Sequence, residues 1–241
     1  FICKVITNSP NTIVGEVRLI KGEYRFIPDD NILNKDYVLD YNDFESLINK
    51  KIVATVSNEN NYQVHLKLES ILGNSGDPIV ENIAIASSFG FNKYFNKEVE
   101  DEVKKFSDGL SKEEIAKRLD LTDKNFVTID PATCKDMDDS VYVEKLDDGF
   151  LCYIAIADVS HYVKPYSALF FEAEKRGTSC YLGSDVYPML PVRLSNDLFS
   201  LTENQVRPVL CAIVKIDNKG EILKYDFKKA IIKSRHKLSY E

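Results

Sequence analysis

The sequence has no apolar run that approaches the ~20 residues of a membrane-spanning helix, and no signal-peptide pattern opens it. It has no pair of cysteines in CxxC spacing, and its three histidines lie far apart. We therefore expect neither a membrane partner nor a zinc site. The five cysteines are odd in number and irregularly spaced, which predicts free thiols in a reducing, cytoplasmic compartment.

The composition is that of a folded globular protein. The 241 residues have 44% hydrophobic and 29% charged side chains and a formal net charge of −7. This acidic balance neither indicates nor excludes nucleic acid, because a local basic groove can coexist with a negative total. The chain starts at Phe1 in an apolar stretch and stops at Glu241 without a closing signal, so we interpret it as a piece of a longer protein.

Residues 1–75 have the pattern of a small β-barrel. Strands are predicted over Thr12–Ile20 and Glu23–Ile27, joined as a hairpin, and two more over 51–56 and 62–68. Several short strands separated by polar turns favour an OB-type barrel.

Residues 76–124 have the pattern of a helical connector. Apolar stripes predict helices over Ile79–Phe89 and Glu98–Phe106, and a capping box at Ser111 opens a third helix. The sequence favours a spacer that packs on its neighbours.

Residues 125–241 mix strands with one helix, as an α+β domain does. The pattern predicts a helix that Ser167 caps and Gly177 stops. Strands are expected at 126–129, 140–144, 150–159, 207–216 and 222–232.

Four carboxylates lie within ten residues between two of these strands: Asp130, Asp136, Asp138 and Asp139. Such close charges raise one another's pKa values unless a cation lies among them. Carboxylate oxygens are hard ligands, so Mg²⁺ or Mn²⁺ would be the natural partner. The loop could hold one or two cations, as two-metal phosphoryl chemistry requires. The alternative is a solvated acidic turn.

Two other acidic motifs do not fit this loop. An EF-hand starting at Asp136 needs Gly at its sixth position, where Val141 stands. An aspartyl-phosphatase motif starting at Asp130 needs a second Asp two residues later, where Ala132 stands.

The acidic loop and several later segments resemble, in order, the catalytic domain of the RNase II/RNase R (RNB) exoribonucleases. The segments are Thr128–Asp130, Lys135–Asp139, Ile154–Ser160, Arg176–Ser179, Pro188–Pro191 and Leu194–Asn196. The resemblance is strong over residues 125–241. More weakly, the first 73 residues look like the cold-shock, OB-type barrel that precedes this domain in the family.

The resemblance implies a Mg²⁺-dependent hydrolase, with Mn²⁺ as the other candidate ion. Such an enzyme degrades single-stranded RNA processively from its 3′ end to nucleoside 5′-monophosphates. By position, Asp130 and Asp139 are expected as direct metal ligands, and Asp136 and Asp138 as ligands of a second ion or as residues that position water. Asp138 matches the aspartate regarded as most critical for cleavage.

The resemblance also suggests RNA contacts. Tyr181 matches an aromatic residue that stacks on the 3′-terminal base; the alternative is a half-buried core residue. Arg176 could reach a phosphate or cap a helix C-terminus. Tyr24 and Phe26 share one face of a barrel strand. In cold-shock domains that face binds RNA; the alternative is that both rings pack in the core.

Two remaining candidates, His161 and Cys134, have no partner residues nearby in the sequence, and we interpret both as structural. The family's catalytic domain continues with a segment that supplies an arginine and further aromatic residues. That segment is absent from this sequence, so we expect a monomeric chain that is inactive alone. The alternatives are a non-catalytic single-stranded RNA-binding protein of the same fold and an unrelated acidic metal-binding β-domain.

Overall fold

A computed structural model describes residues 12–30, 35–183 and 185–240. The chain forms two compact units. The first, here called the barrel unit, comprises residues up to 94 together with 179–187. The second, called the sheet unit, comprises 95–178 together with 188 onward. The sequence-based boundaries at 75 and 124 stay a prediction.

The regular elements alternate between strands and short helices. In chain order the described strands and α-helices are β1 (Thr12–Ile20), β2 (Glu23–Pro28), β3 (Asp36–Asp40), β4 (Lys50–Glu59), β5 (Gln63–Asn74), α1 (Pro78–Ser88), α2 (Lys97–Val103), α3 (Lys112–Ala116), β6 (Leu119–Asp120), β7 (Phe126–Asp130), β8 (Asp139–Leu146), β9 (Gly149–Ala157), α4 (Ala168–Arg176), β10 (Cys180–Leu182), β11 (Asp185–Tyr187), β12 (Val206–Asp217) and β13 (Ile222–Ser239).

The barrel unit is a five-stranded sheet in the order β2-β1-β4-β5-β3. The predicted hairpin of β1 and β2 is present, with Ile20 paired to Glu23 across its turn. β3, which the sequence did not predict, pairs in parallel with β5. The core contains Val17, Phe26, Leu47, Ile52 and Leu66, among others. The predicted α+β class with an OB-like barrel is thus confirmed.

The sheet unit is built on the order β12-β9-β8-β7-β13-β6. β13 is longer than predicted because successive parts of it pair with different strands, and the short β6 pairs with its middle. Its first part pairs with β12, and its last residues, to Ser239, pair in parallel with β7. These pairings link β12, β9, β8, β7 and β13 in a ring.

The helices begin at the polar caps that the sequence shows. Asp77, Asn96, Ser111 and Ser167 each accept a hydrogen bond from a backbone N–H of the first helical turn. Gly177 ends α4 with a φ of 72°, as predicted. In the described part of the chain, no helix is both long and apolar enough to span a membrane.

The connector helices pack on different units. Ala84 of α1 contacts Val14 and Val53 of the barrel unit. Val99 and Val103 of α2 lie in the core of the sheet unit, together with Leu169 of α4. The core of the sheet unit lies on the side of β7, β9 and β12 that bears Phe126, Tyr153 and Val209, as well as others.

Candidate functional site

The acidic loop, residues 130–139, lies in the sheet unit between β7 and β8. Asp130 is the last residue of β7 and is paired with Ser239 of β13. Asp139 is the first residue of β8 and is paired with Ile156 of β9. The two outer aspartates are therefore held by the hydrogen-bonded sheet rather than by a free loop.

The second half of the loop is anchored in the core. The Met137 side chain is buried, and its backbone C=O accepts a hydrogen bond from the Leu201 N–H at 2.9 Å. The C=O of Asp138 accepts from the Ala157 N–H at 2.9 Å. Met137 therefore points inward, while Asp138 and Asp139 on its C-terminal side are exposed.

The first half of the loop is held by Lys237 of β13. Its Nζ donates to the backbone C=O groups of Ala132 and Cys134, at 2.9 and 2.6 Å. The Cys134 Sγ lies 3.3 Å from Oδ1 of Asp136 and 3.8 Å from Oδ1 of Asp130. One sulfur atom therefore lies between the carboxylates of Asp130 and Asp136 and is closer to Asp136.

Cys134 acts as a thiol donor at neutral pH. Burial, together with the neighbouring carboxylates of Asp136 and Asp130, raises the pKa of its thiol to about 11. A protonated thiol can donate to a carboxylate but is a poor metal ligand. This agrees with the structural interpretation of Cys134, whose partners are the aspartates themselves.

The electrostatics of the loop are those of crowded carboxylates. Although the Asp138 side chain is exposed at the surface, desolvation by the surrounding protein raises its pKa, and the negative charges of Asp136, Asp139 and Asp130 raise it further. The other three carboxylates thus act on Asp138, as expected where negative charges gather at a site that could attract a cation.

The donor chemistry of the loop fits a hard divalent cation, because the available groups are carboxylate oxygens. Within residues 12–30, 35–183 and 185–240, no three acidic, His or Cys side chains converge on a common point as metal ligands. The backbone of the loop is fixed, whereas the aspartate side chains would have to turn toward a common point when a metal ion binds.

The sequence-predicted RNA contacts lie in different environments. Tyr181 lies on β10, opposite Val186 of β11, and 64% of its surface is exposed. It belongs to the barrel unit. Tyr24 is exposed at the end of the barrel hairpin and stacks on Phe44, with ring centroids 5.6 Å apart. Both rings keep an accessible surface.

Phe26 and Arg176 are packed inside their units. Phe26 is only 5% exposed and lies in the barrel core, as the core-packing alternative predicts, so its ring cannot stack on a base. The buried Arg176 side chain pairs with Glu172 at 2.8 Å, donates to the Pro188 C=O at 3.0 Å and lies 3.9 Å from the Phe95 ring centroid. These contacts tie the end of α4 to a neighbouring segment.

Local sequence patterns did not predict the residues that hold the loop. Ser200, Arg207 and Lys237 contact it directly or through one another. A buried ion pair, Arg118 with Asp158, lies at the end of β9 beside the loop's anchor at Ala157. Hydrophobic periodicity does not reveal a single buried polar residue. Asp158 does lie within one of the segments that resemble the family, Ile154–Ser160, and that is the one sequence feature that could have pointed to it.

Together these features define an α+β protein with an OB-like barrel and an acidic centre where one strand of a mixed sheet ends and the next begins. The chain belongs to the RNB domain family, whose family model matches residues 118–241.

Relatives and solved structures cover the rest of the chain. Ribonuclease R of Thermotoga maritima is 38% identical over 247 aligned residues, which cover 100% of this chain and 35% of that protein. Ribonuclease R of Mycoplasma genitalium is 40% identical over 177 residues, covering 73% of this chain and 24% of that protein. The chain thus spans about a quarter to a third of these two relatives.

The solved structures agree with the fold. Mycoplasma genitalium RNase R in complex with double-stranded RNA matches with a TM-score of 0.86 and 32% identity, covering 100% of this chain and 43% of that one. Yeast Ssd1, described as a pseudonuclease, matches with a TM-score of 0.78 at 19% identity, which shows the fold alone.

Proposed function

We propose that the acidic loop is the catalytic centre of a 3′-to-5′ exoribonuclease, which hydrolyses single-stranded RNA processively to nucleoside 5′-monophosphates. The observation that carries the proposal is the loop itself. All four aspartates are present in an RNB domain, and the outer two are held by the sheet ladder. The Ribonuclease R relatives supply the reaction class.

In this proposal Asp130 and Asp139 would hold Mg²⁺, with Mn²⁺ as a substitute, and Asp136 and Asp138 would hold a second ion or orient water. The ion would stabilise charge on the phosphate and lower the pKa of a bound water. Asp138 is exposed next to the core-anchored Met137. Its carboxylate would accept a hydrogen bond from the attacking water.

The proposed ligand is the 3′ end of a single-stranded RNA. The exposed Tyr181 ring would stack on the terminal base, which suits an enzyme that accepts any base because every base has a π-face. Tyr24 offers a second accessible ring on the barrel. Among the similar structures, Mycoplasma genitalium RNase R was solved with double-stranded RNA and with ribose-methylated single-stranded RNA, which supports RNA as the ligand class.

Because the chain spans only part of its relatives, we propose that residues 1–241 alone cleave RNA weakly or not at all. We further propose a cytoplasmic monomer, in keeping with the free cysteines.

The experiment follows a 5′-labelled RNA with a single-stranded 3′ tail, incubated with Mg²⁺ or Mn²⁺ and the full-length protein that carries this sequence. Asp138→Asn should lower the cleavage rate by at least about 100-fold while RNA binding persists. Asp147→Asn, the same chemical change in the exposed β8–β9 turn, should cleave as the wild type does. A wild type that binds RNA but never cuts would favour the non-catalytic RNA-binding alternative.

A further inference from the structure

We infer that Ser200 is a positioning residue for the acidic loop, with its hydroxyl setting the backbone on both sides of Asp136. The inference rests on the proposed function, because it concerns the same centre. Ser200 lies outside the loop in sequence, beyond the π-helical turn Leu194–Leu198 that precedes β12.

The Ser200 hydroxyl makes two opposite hydrogen bonds across one aspartate. It donates to the C=O of Lys135 at 2.8 Å and accepts from the N–H of Met137 at 3.3 Å. These two backbone groups immediately flank Asp136. The next residue of the chain, Leu201, donates its N–H to the Met137 C=O. Ser200 and Leu201 thus hold three backbone polar groups of the loop, one before Asp136 and two after it.

Ser200 is itself held in place. Its side chain is fully buried, and its C=O accepts a hydrogen bond from Nε of the buried Arg207 at 3.0 Å. Nη2 of the same guanidinium pairs with Asp197 at 3.1 Å. The rigid guanidinium of Arg207 therefore fixes the position of Ser200 next to the loop.

A hydroxyl is suited to this position because one atom must both donate and accept. An alanine would leave the buried Met137 N–H and the partly buried Lys135 C=O without that partner, and the loop backbone would shift to reach others. Asp136 and Asp138 would move with it. Metal ligands must be held to within about 0.5 Å, so a small backbone shift is enough to weaken binding.

The test measures the Mn²⁺ affinity of the full-length protein that carries this sequence by electron paramagnetic resonance, which reports free Mn²⁺ and needs no catalysis. Ser200→Ala should weaken binding by about 10-fold or more, as the loss of a residue that supports metal ligands does. Ser200→Thr keeps the hydroxyl and should restore most of the affinity. If Ser200→Ala does not fold, Ser200→Cys replaces it, since a thiol keeps the volume but bonds weakly.

Ser167→Ala is the matched control. It removes a hydroxyl that caps α4 through the Phe170 N–H, so it lowers stability without touching the loop, and its Mn²⁺ affinity should equal that of the wild type. Melting temperatures confirm that each variant is folded at the temperature of measurement.

The outcomes separate the positioning role of Ser200 from the proposed metal centre itself. If the wild type binds Mn²⁺ through the loop, as Asp139→Asn reports, but Ser200→Ala binds equally well, the positioning role is overturned and the metal centre stands. An equal loss in Ser200→Ala and Ser167→Ala would also overturn it, as a general effect of stability. If the wild type binds no Mn²⁺, the proposed metal centre fails, and the role of Ser200 fails with it.

Discussion

Asp158, the residue directly after β9, forms a buried ion pair with Arg118 at 2.7 Å and accepts a hydrogen bond from the Ser160 hydroxyl at 2.6 Å. Its backbone N–H donates to Pro208 of β12, so it also fixes the end of β9 where Ala157 holds Asp138. Burial alone would raise the pKa of Asp158, but the Ser160 hydrogen bond and the Arg118 guanidinium outweigh it and hold that pKa below its usual value. Asp158 therefore stays charged across the physiological range.

The first prediction concerns this residue. Asp158→Asn should lower the free energy of unfolding by about 2 kcal/mol near neutral pH, because the buried Arg118 loses its ion pair with Asp158 and keeps the one with Glu114. The folded-state pKa is depressed, so the contribution of Asp158 is present above the unfolded pKa near 3.8 and is lost as the pH falls below it. Urea unfolding measured from pH 7 to pH 3 checks this. A difference between variant and wild type that stays constant over that range would contradict the role of the charge.

At the scale of the element, the hairpin of β1 and β2 depends on one glycine. Gly15 is paired with Pro28 across the two strands. The Phe26 ring, which is part of the barrel core, packs directly against Gly15. A Cβ at Gly15 would lie 2.6 Å from the Phe26 ring and 2.8 Å from the Pro28 Cα, both closer than van der Waals contact. The close approach of the strands therefore requires a residue without a side chain.

The second prediction follows from this contact. Gly15→Ala should destabilise the barrel unit by about 1–3 kcal/mol, because the ring or the strand must shift to admit the methyl group. Gly109→Ala is the control: a Cβ there meets nothing within 4 Å, and its φ is not in the left-handed region, so it should be neutral or slightly stabilising. Thermal unfolding followed by circular dichroism measures both. A Gly15→Ala variant that melts at or above the wild-type temperature would contradict the contact.

At the scale of the whole molecule, the strands of the sheet unit are apolar on both sides. The inward side forms the core, whereas a second set of large apolar residues on β7, β8, β9, β12 and β13 is exposed: Ile129, Val143, Ile154, Ile156, Leu210 and Leu238. Strands with this composition are typical of sheets that are covered on both faces. Exposed apolar residues that share one face of a sheet can also promote association.

The third prediction compares neighbouring positions on β12. Leu210→Thr, on the exposed side, should lower binding of the dye ANS and light scattering by the 241-residue chain, with little change in melting temperature, since threonine keeps a high strand propensity. Val209→Thr, on the inward side, should lower stability by about 1–3 kcal/mol because it buries a hydroxyl. Equal effects of the two substitutions on stability would contradict the assignment of the two faces.

Local patterns predicted most of the elements and none of the long-range contacts. The caps at Ser111 and Ser167 and the stop at Gly177 depend on a few adjacent residues, and the structure confirms all three. β3 was missed because its partner, β5, is distant in sequence. Alternation placed Tyr24 and Phe26 on one face, but only the packed barrel leaves one ring exposed and buries the other.

By itself the sequence determined the α+β class, the hairpins and the spacing of the four aspartates, because these follow from periodicity, turn residues and a motif written within ten positions. The tertiary structure decided which groups hold that motif. Ser200, Arg207 and Lys237 follow the loop by many positions. They reach it, directly or through one another, only because β12 returns beside β9 and β13 returns beside β7. Their role depends on burial and on hydrogen-bond geometry, which arise when distant segments pack together and leave no mark on the local sequence.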